Sequence, residues 1–384
     1  MKRTIGMIAA YLAAVLTPAA AQAPLVDTEA SHAVIMDHDT GAILFEKQGA
    51  DLMIPASMTK MMTAHVVFDR LARGEIALSD RLVTSERAWR EGGWASGGST
   101  MGLAVGDEPT VEELLRGVIV LSGNDACIVL AEGLSGTEEA FAVEMTALAR
   151  DLGLESATFR NATGLDAPDH RISAIDLAKL AKLQIDEFPD YYRFYNERSY
   201  EWRGISQPNR NPLLGRFDGT DGLKTGHLEV SGYGLTASAE RDGERRILVV
   251  NGLENDARRS QEAERLMRLA FSAFETRTID RAGEALGEAP VWLGDQRSVP
   301  LGLNASIIVS GHKRAFDAAT VEIVYDGPLE APIMAGDELG RLVISLPGQS
   351  PTIAPLYALE SVAKLGFVGR VAEGLNRLMV GDNG

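Results

Sequence analysis

The sequence predicts an α/β sandwich of the α+β type, with helices packed on an antiparallel sheet, followed by a small all-β domain and a C-terminal amphipathic helix. Three observations predict this fold. In residues 22–278, strand patterns come first, helical patterns follow, and strand patterns return before a final helical pattern. That order is typical of an antiparallel sheet covered by helices. Beyond about residue 280, short apolar runs alternate with Pro, Gly and Asp, and the last stretch returns to helical spacing.

The N-terminal residues predict a cleaved secretory signal over residues 1–21. A basic start precedes an apolar run from Ile5 to Leu16, and small residues follow. Cleavage fits after Ala21 or Ala23, and Pro24 favours Ala21. An uncleaved transmembrane anchor is the alternative, but the apolar run is short for a bilayer. We therefore expect an exported protein.

Composition excludes several classes of function. The net charge of −17, without any basic run, argues against binding to nucleic acid. A single cysteine, Cys127, leaves no intrachain disulfide, and we expect it to be buried. The six histidines form no H-E-x-x-H motif, and no G-x-S-x-G elbow is present. We expect no metal and no cofactor.

The first region, residues 22–278, is predicted to begin with a β-hairpin and a long helix. Apolar runs at Ala33 to Met36 and Ala42 to Phe45 flank a turn rich in Asp and Gly. Pro55 then precedes a helical pattern that begins at Ser57. Ser57 would thus lie near a helix N-terminus, where backbone N–H groups favour negative charge.

More helices and a second hairpin complete this region. Ser122 falls in a break between two of the helical patterns, where its side chain can project into a cleft. The predicted helices span Val111 to Leu121, Glu138 to Leu152, Ala174 to Ile185 and Arg259 to Phe274, and a further helix begins at Asp125. The predicted strands span Gly222 to Thr225, Gly232 to Glu240 and Arg246 to Val250.

The C-terminal part is predicted to hold a β-domain over residues 279–352 and an amphipathic helix over residues 353–381. Strands are expected at Ile307 to Ser310, Val321 to Tyr325 and Arg341 to Leu346. From Pro355 to Val380, apolar residues lie on one helical arc opposite charged ones, and Phe367 and Val371 lie outside that arc. Such a helix could lie in a membrane interface, or it could pack against the β-domain or another subunit.

Three short motifs carry the chemistry. Ser57 and Lys60 lie three residues apart on one face of a helix, a spacing that can make a nucleophile and its base. Ser122-Gly123-Asn124 and Lys224-Thr225-Gly226 follow in order. Each triplet alone is weak, but together they match the S-x-x-K, S-x-N and K-T-G set of serine enzymes that react with penicillins.

The residue types suggest distinct roles for these side chains. Lys60 can accept the Ser57 proton only while neutral, and burial together with a second cation at Lys224 lowers the pKa of a lysine. Lys224 would also bind a substrate carboxylate, with Thr225 of the K-T-G motif adding a hydroxyl contact. Ser122 would relay a proton to the leaving amine, and Asn124 would orient the substrate amide.

The oxyanion is expected to meet two backbone N–H groups, those of Ser57 and His227, the latter directly after Gly226. We expect the His227 side chain to contribute shape rather than to act as a general base, because a lysine already holds that role.

Longer segments resemble the low-molecular-mass penicillin-binding proteins that act as D-alanyl-D-alanine carboxypeptidases. They include Ile54 to Thr63, Gly117 to Ala126, Phe159 to Leu165 and Asp221 to His227. Val324 to Ile333 resembles the β-rich C-terminal domain of that family, and the terminal helix resembles its membrane-surface anchor. Departures from the family pattern are small and concern the loop Gly97 to Leu103 and the terminal helix.

This resemblance implies a penicillin-binding/β-lactamase-like sandwich and an acyl-enzyme mechanism. Ser57 would attack the bond between two D-alanines of a peptidoglycan stem peptide, and β-lactams would acylate the same serine. The family places the enzyme in the periplasm, peripherally attached to the outer face of the cytoplasmic membrane. A D,D-endopeptidase, a β-lactamase and a catalytically inert penicillin-binding scaffold remain alternatives. An E-x-x-L-N segment typical of class A β-lactamases has no match between Phe159 and Ala178.

Overall fold

The computed structural model describes residues 26–279 and 281–367, together with Gly369 and Val371. The predicted signal over residues 1–21 and the end of the predicted terminal helix, beyond Val371, lie outside these residues. Within them, no helix combines the length and apolarity that crossing a bilayer requires.

The first region follows the predicted order of strands, helices and strands. Its helices are α1 (Lys60–Ala72), α2 (Glu86–Gly92), α3 (Val111–Ile119), α4 (Asn124–Ser135), α5 (Glu138–Asp151), α6 (Ala174–Glu187), α7 (Pro189–Tyr192) and α8 (Asp256–Ser272). Its strands are β1 (His32–Asp37), β2 (Ile43–Lys47), β3 (Leu52–Met53), β4 (Ile172–Ser173), β5 (Ser199–Trp202), β6 (Ile205–Pro208), β7 (Thr220–Leu228), β8 (Gly232–Arg241) and β9 (Glu244–Leu253).

A five-stranded antiparallel sheet divides this region into two layers. The strand order is β2-β1-β9-β8-β7, so β7 forms one edge. Along β1, Val34 and Met36 join the core formed with α1 and α6, whereas Ala33 and Ile35 face α8 on the opposite side. The alternation follows from the two-residue period of a strand. The predicted sandwich is confirmed.

The helix boundaries follow local capping signals. Thr110 begins α3 with a capping box in which its hydroxyl accepts from Glu113 N–H and the Glu113 carboxylate accepts from Thr110 N–H. Asn255 caps α8 by accepting from Arg258 N–H, so that helix begins three residues before the predicted Arg259. Phe274, the predicted end of α8, instead begins a strand.

The C-terminal part is the predicted all-β domain. Its strands are β10 (Phe274–Ile279), β11 (Ala285–Trp292), β12 (Ser298–Gly302), β13 (Ile307–His312), β14 (Thr320–Val324), β15 (Leu329–Glu330), β16 (Glu338–Ser345) and β17 (Thr352–Ala358). Six of them form one sheet in the order β14-β16-β17-β12-β11-β15, and β10 pairs with β13. The strand β10 therefore belongs with the β-domain, although most of it lies before the predicted boundary at residue 279.

The predicted start of the terminal helix near Pro355 is wrong. Residues Thr352–Ala358 form β17, which pairs with β16 and β12. Ala354, Leu356 and Ala358 are buried in the β-domain core while the residues between them are more exposed. Pairing on both sides imposes this two-residue period, which overrides the helical spacing.

Polar contacts hold the two domains together at β1. The Asp37 carboxylate accepts from Arg246 of β9 and from the Thr276 hydroxyl of β10, at 3.2 Å. Both Asp37 and Arg246 are 1% exposed. The hydroxyls of Thr40 and Ser310 lie 3.2 Å apart in the same network. A buried ion pair of this kind is costly to break from one side, because the remaining charge is left without its partner.

Candidate active site

Ser57 lies in a 3-10 turn, Ala56–Thr59, that leads directly into α1 at Lys60. Ala56 has φ +48°, a left-handed conformation that costs a residue with a Cβ roughly 1 kcal/mol or more. The three-residue spacing places Lys60 Nζ 2.9 Å from Ser57 Oγ. The structure thus brings the predicted nucleophile and base into contact, with the serine in a turn that precedes the α-helix.

Lys60 is 1% exposed and its Nζ contacts three oxygens. Besides Ser57 Oγ, it donates to Asn124 Oδ1 at 2.8 Å and to the Thr163 carbonyl at 2.6 Å. An ammonium can satisfy all three as a donor, and a neutral amine can donate to two while its lone pair faces the serine. Burial lowers the pKa of Lys60, although nearby acidic groups, Asp125 among them, partly oppose that shift.

Ser122 lies on the connection between α3 and α4, as predicted, and Asn124 is the first residue of α4. Ser122 has φ +61°, and the turn is held by a hydrogen bond from Gly123 N–H to the Gly117 carbonyl at 2.8 Å. Asn124 N–H donates to the Ser99 carbonyl at 2.8 Å. Strained backbone of this kind persists where surrounding contacts fix it, and such residues cluster at functional sites.

Asp125 fixes the loop beside Asn124. Its carboxylate is fully buried and accepts from the Thr100 hydroxyl at 2.6 Å and from the backbone N–H groups of Met101, Gly102 and Leu103 at 2.8–3.0 Å. These donors compensate the cost of burying a charge. The loop Gly97 to Leu103 is therefore tied to the start of α4, a role for Asp125 that the motif did not reveal.

Lys224 lies on edge strand β7 and reaches across the cleft to the second motif. Its Nζ donates to Ser122 Oγ at 2.9 Å and to the Thr225 carbonyl at 3.1 Å, and the residue is 2% exposed. Burial lowers the pKa of Lys224 well below its ordinary value, and the charge of Lys60 lowers it further. Burial is the cause that lowers the pKa of Lys60, whereas the predicted effect of a neighbouring cation is found at Lys224, where Lys60 adds to burial.

Two glycines allow the motifs to approach each other. A Cβ on Gly226 would lie 2.6 Å from the Pro55 carbonyl oxygen, and a Cβ on Gly164 would lie 1.9 Å from the Ala56 carbonyl oxygen. Gly164 also has φ +82°. Both positions exclude any side chain, so the turn that carries Ser57 is held between β7 and the loop around Thr163.

His227 lines the same cleft as Ser57. Its ring stacks on Tyr233 of β8, with ring centres 3.9 Å apart, and the two residues pair across the strands. This packing agrees with a role in shape. The assignment of its N–H to the oxyanion stays a prediction.

The cleft has a volume of about 520 Å³, and residues from many parts of the first region line it. Of the predicted site residues, Ser57, Ser122, Asn124 and the Thr225 to His227 segment line it, with both lysines buried beneath. Sequence reasoning missed Leu165, Arg210 and Arg259, which also line it. Arg259 lies in the first turns of α8, and no short motif marks it. In the described part of the chain, no group of three or more metal-ligating side chains comes together.

Comparison with known proteins identifies the family. Residues 17–255 match the family model described as D-alanyl-D-alanine carboxypeptidase, and residues 274–364 match that of the C-terminal domain of penicillin-binding protein 5. The chain is 37% identical over 353 residues to the D-alanyl-D-alanine carboxypeptidase DacC of Escherichia coli K12, covering 91% of this chain and 88% of that one.

Solved structures agree with this match. Penicillin-binding protein 5 from Haemophilus influenzae superposes with a TM-score of 0.75 at 34% identity, over 89% of this chain and 100% of that one. Penicillin-binding protein D2 from Listeria monocytogenes, solved in its ampicillin-bound form, gives a TM-score of 0.56 at 27% identity, over 65% of this chain and 100% of that one. The chain belongs to the D-alanyl-D-alanine carboxypeptidase family of serine peptidases.

Proposed function

We propose that Ser57 removes the terminal D-alanine from peptidoglycan stem pentapeptides through an acyl-enzyme. Ser57 Oγ attacks the carbonyl carbon of the penultimate D-alanine while neutral Lys60 takes the hydroxyl proton. The N–H groups of Ser57 and His227 bind the oxyanion that forms. Lys224 and Thr225 bind the terminal carboxylate, and Asn124 binds the amide on the acyl side.

The proton then leaves through Ser122. The ammonium of Lys60 returns its proton by way of the Ser122 hydroxyl to the leaving nitrogen, the C–N bond breaks, and D-alanine departs as a free amine. Water attacks the Ser57 ester in the second half of the cycle, with Lys60 again the base, and releases the tetrapeptide. Lys60 passes the proton taken from water to Ser57 Oγ as the ester bond breaks, so the side chains regain their starting protonation states at the end of the cycle.

One observation carries this proposal: the buried Lys60 Nζ lies 2.9 Å from Ser57 Oγ, and the buried Lys224 Nζ lies 2.9 Å from Ser122 Oγ. Two lysines in one poorly solvated site disfavour two positive charges, so a neutral amine is available to act as a base. Without these two lysines, no base would take the proton of the Ser57 hydroxyl, and the serine would be a weak nucleophile.

The direct test is D-alanine release from a pentapeptide ending in D-Ala-D-Ala, by the protein and by its Ser57→Ala variant. We expect release by the first and none by the second. A stable penicillin adduct without D-alanine release would rule out carboxypeptidase activity. Cleavage of cross-linked peptides would indicate a D,D-endopeptidase, and hydrolysis of free penicillin would indicate a β-lactamase.

Labelling with a fluorescent penicillin distinguishes an enzyme from an inert scaffold. We expect covalent labelling of the protein and none of Ser57→Ala, because β-lactams resemble the D-Ala-D-Ala end and acylate the same oxygen. Failure of the intact protein to label at all would favour the scaffold alternative.

We also propose that the protein is exported, with residues 1–21 removed, and attached to the outer face of the cytoplasmic membrane through the terminal helix. The exposed Phe367, at the start of the described helical turn, supports this proposal. The deletion that tests it begins after Leu365, because a cut at Pro355 would remove half of β17. We expect the truncated protein to leave the membrane fraction with its activity retained. Unchanged sedimentation with membranes would rule out the anchor.

A further inference from the structure

We propose that Glu138, at the start of α5, is a positioning residue that sets the geometry of the base Lys60. This proposal rests on the proposed roles of Ser57 and Lys60. Glu138 is 6% exposed and belongs to none of the three motifs. Its carboxylate holds the backbone segment whose carbonyl oxygen contacts Lys60.

The contacts form a short chain from Glu138 to Lys60. Glu138 Oε1 accepts from Ala162 N–H at 3.0 Å, and the Ala162 carbonyl accepts from the Thr63 hydroxyl at 2.6 Å. Both polar backbone groups of Ala162 are therefore held. The next residue, Thr163, offers the carbonyl that lies 2.6 Å from Lys60 Nζ. Any movement of Ala162 displaces that oxygen, and with it the direction in which the Lys60 lone pair points.

Arg87 of α2 holds Glu138 from the other side. Its Nη2 lies 3.0 Å from Glu138 Oε2, and the same guanidinium binds Glu139 and Glu91. Burial raises the pKa of Glu138, and the charges of Glu139 and Glu91 raise it further, whereas the Ala162 N–H and Arg87 lower it. Ionised Glu138 in turn raises the pKa of Lys60, as do Cys127 and Asp125.

Glu138 thus acts on Lys60 in two separable ways. The hydrogen bond to Ala162 fixes the position of the amine, which favours proton transfer. The negative charge favours the ammonium, which opposes it. Glu138→Gln keeps an oxygen acceptor for Ala162 N–H and removes the charge, whereas Glu138→Leu removes both.

The experiment measures acylation by a chromogenic penicillin between pH 5 and pH 10, separating the binding constant from the acylation rate constant. For Glu138→Gln, we expect the rise of the rate constant with pH to move to lower pH by roughly 0.5–1 unit, the effect of one nearby charge at a partly buried site. For Glu138→Leu, we expect the rate constant to fall about 10- to 100-fold, with the binding constant little changed.

Glu139→Gln is the matched control. Glu139 binds the same Arg87 but is 67% exposed, and both of its carboxylate oxygens contact Arg87 rather than the Ala162 segment. We expect this variant to keep the parent pH profile and rate. Thermal unfolding of each variant shows how much of any loss is loss of folded protein.

A profile for Glu138→Gln that superposes on that of the parent, with a Glu138→Leu rate constant per folded molecule equal to the parent value, would overturn the inference. If the parent itself fails to acylate, the proposed function fails instead. The two failures are therefore distinguishable.

Discussion

Replacing Gly164 by alanine tests whether the Ser57 turn must be held as tightly as the structure indicates. The new Cβ would lie 1.9 Å from the Ala56 carbonyl oxygen, and both backbones must move apart by about 1 Å or more to restore van der Waals contact. Misplacement by about 1 Å costs roughly 100-fold in rate. The φ of +82° adds roughly 1 kcal/mol of strain.

Gly153→Ala separates the two effects. Gly153 follows α5 at φ +73°, and an added Cβ there meets nothing within 4 Å. We expect both variants to lose about 1 kcal/mol or more of unfolding free energy, measured in urea. Only Gly164→Ala should lose acylation, by roughly 100-fold in a stopped-flow assay with a chromogenic penicillin. Acylation by Gly164→Ala within about 3-fold of the Gly153→Ala rate would refute the reasoning.

The acylation rate constant should rise with pH as Lys60 loses its proton, with an inflection below the ordinary lysine pKa, because burial lowers the pKa of Lys60. Unfolding free energy should fall between pH 6.5 and pH 4, because burial lowers the pKa of His65 and of His170 to about 4. In that pH range the unfolded state binds more protons than the folded state does. Each histidine therefore lowers the unfolding free energy by up to roughly 3 kcal/mol at pH 4 relative to neutral pH, and unfolding in urea measures the combined loss. Asp125→Asn should lose roughly 2–4 kcal/mol of unfolding free energy and acylate more slowly, because an amide N–H₂ would face backbone donors of the Thr100 loop.

Each of these has a result that contradicts it. An acylation profile with its inflection near pH 10.4 would mean that Lys60 titrates as an exposed lysine does. An unfolding free energy that stays level from pH 7 to pH 4.5 would remove the two buried histidines from the explanation. For Asp125→Asn, a free energy within about 0.5 kcal/mol of the parent would show that the loop is held by other contacts.

The sequence predicted much of the sandwich because its segments carry clear local signals. The first hairpin, the helices around Ser122 and the hairpin after Lys224 all appear near their predicted positions. The strand β17 was missed because Pro355 and its neighbours satisfy both a two-residue and a helical period. Only pairing with β16 and β12 decides between them, and that pairing depends on distant residues.

The residues of the candidate site were likewise predictable only in part. Ser57, Ser122, Asn124 and Lys224 were predicted because the chemistry requires those side chains at fixed spacings. The Thr163 carbonyl was not, because any residue provides a carbonyl oxygen and its place depends on how the loop folds. Arg259 lines the cleft and Glu138 contacts Ala162 only because the fold brings distant segments together, and no local spacing marks either residue.

The central claim is that Ser57 carries the acyl group, with Lys60 as its base. Mass spectrometry of the protein after brief exposure to penicillin, followed by peptide mapping, tests it directly. We predict one added penicilloyl group on the peptide that holds Ser57, formed far more slowly in Lys60→Met. A penicilloyl group on any other residue, or equally fast labelling of Lys60→Met, would contradict it.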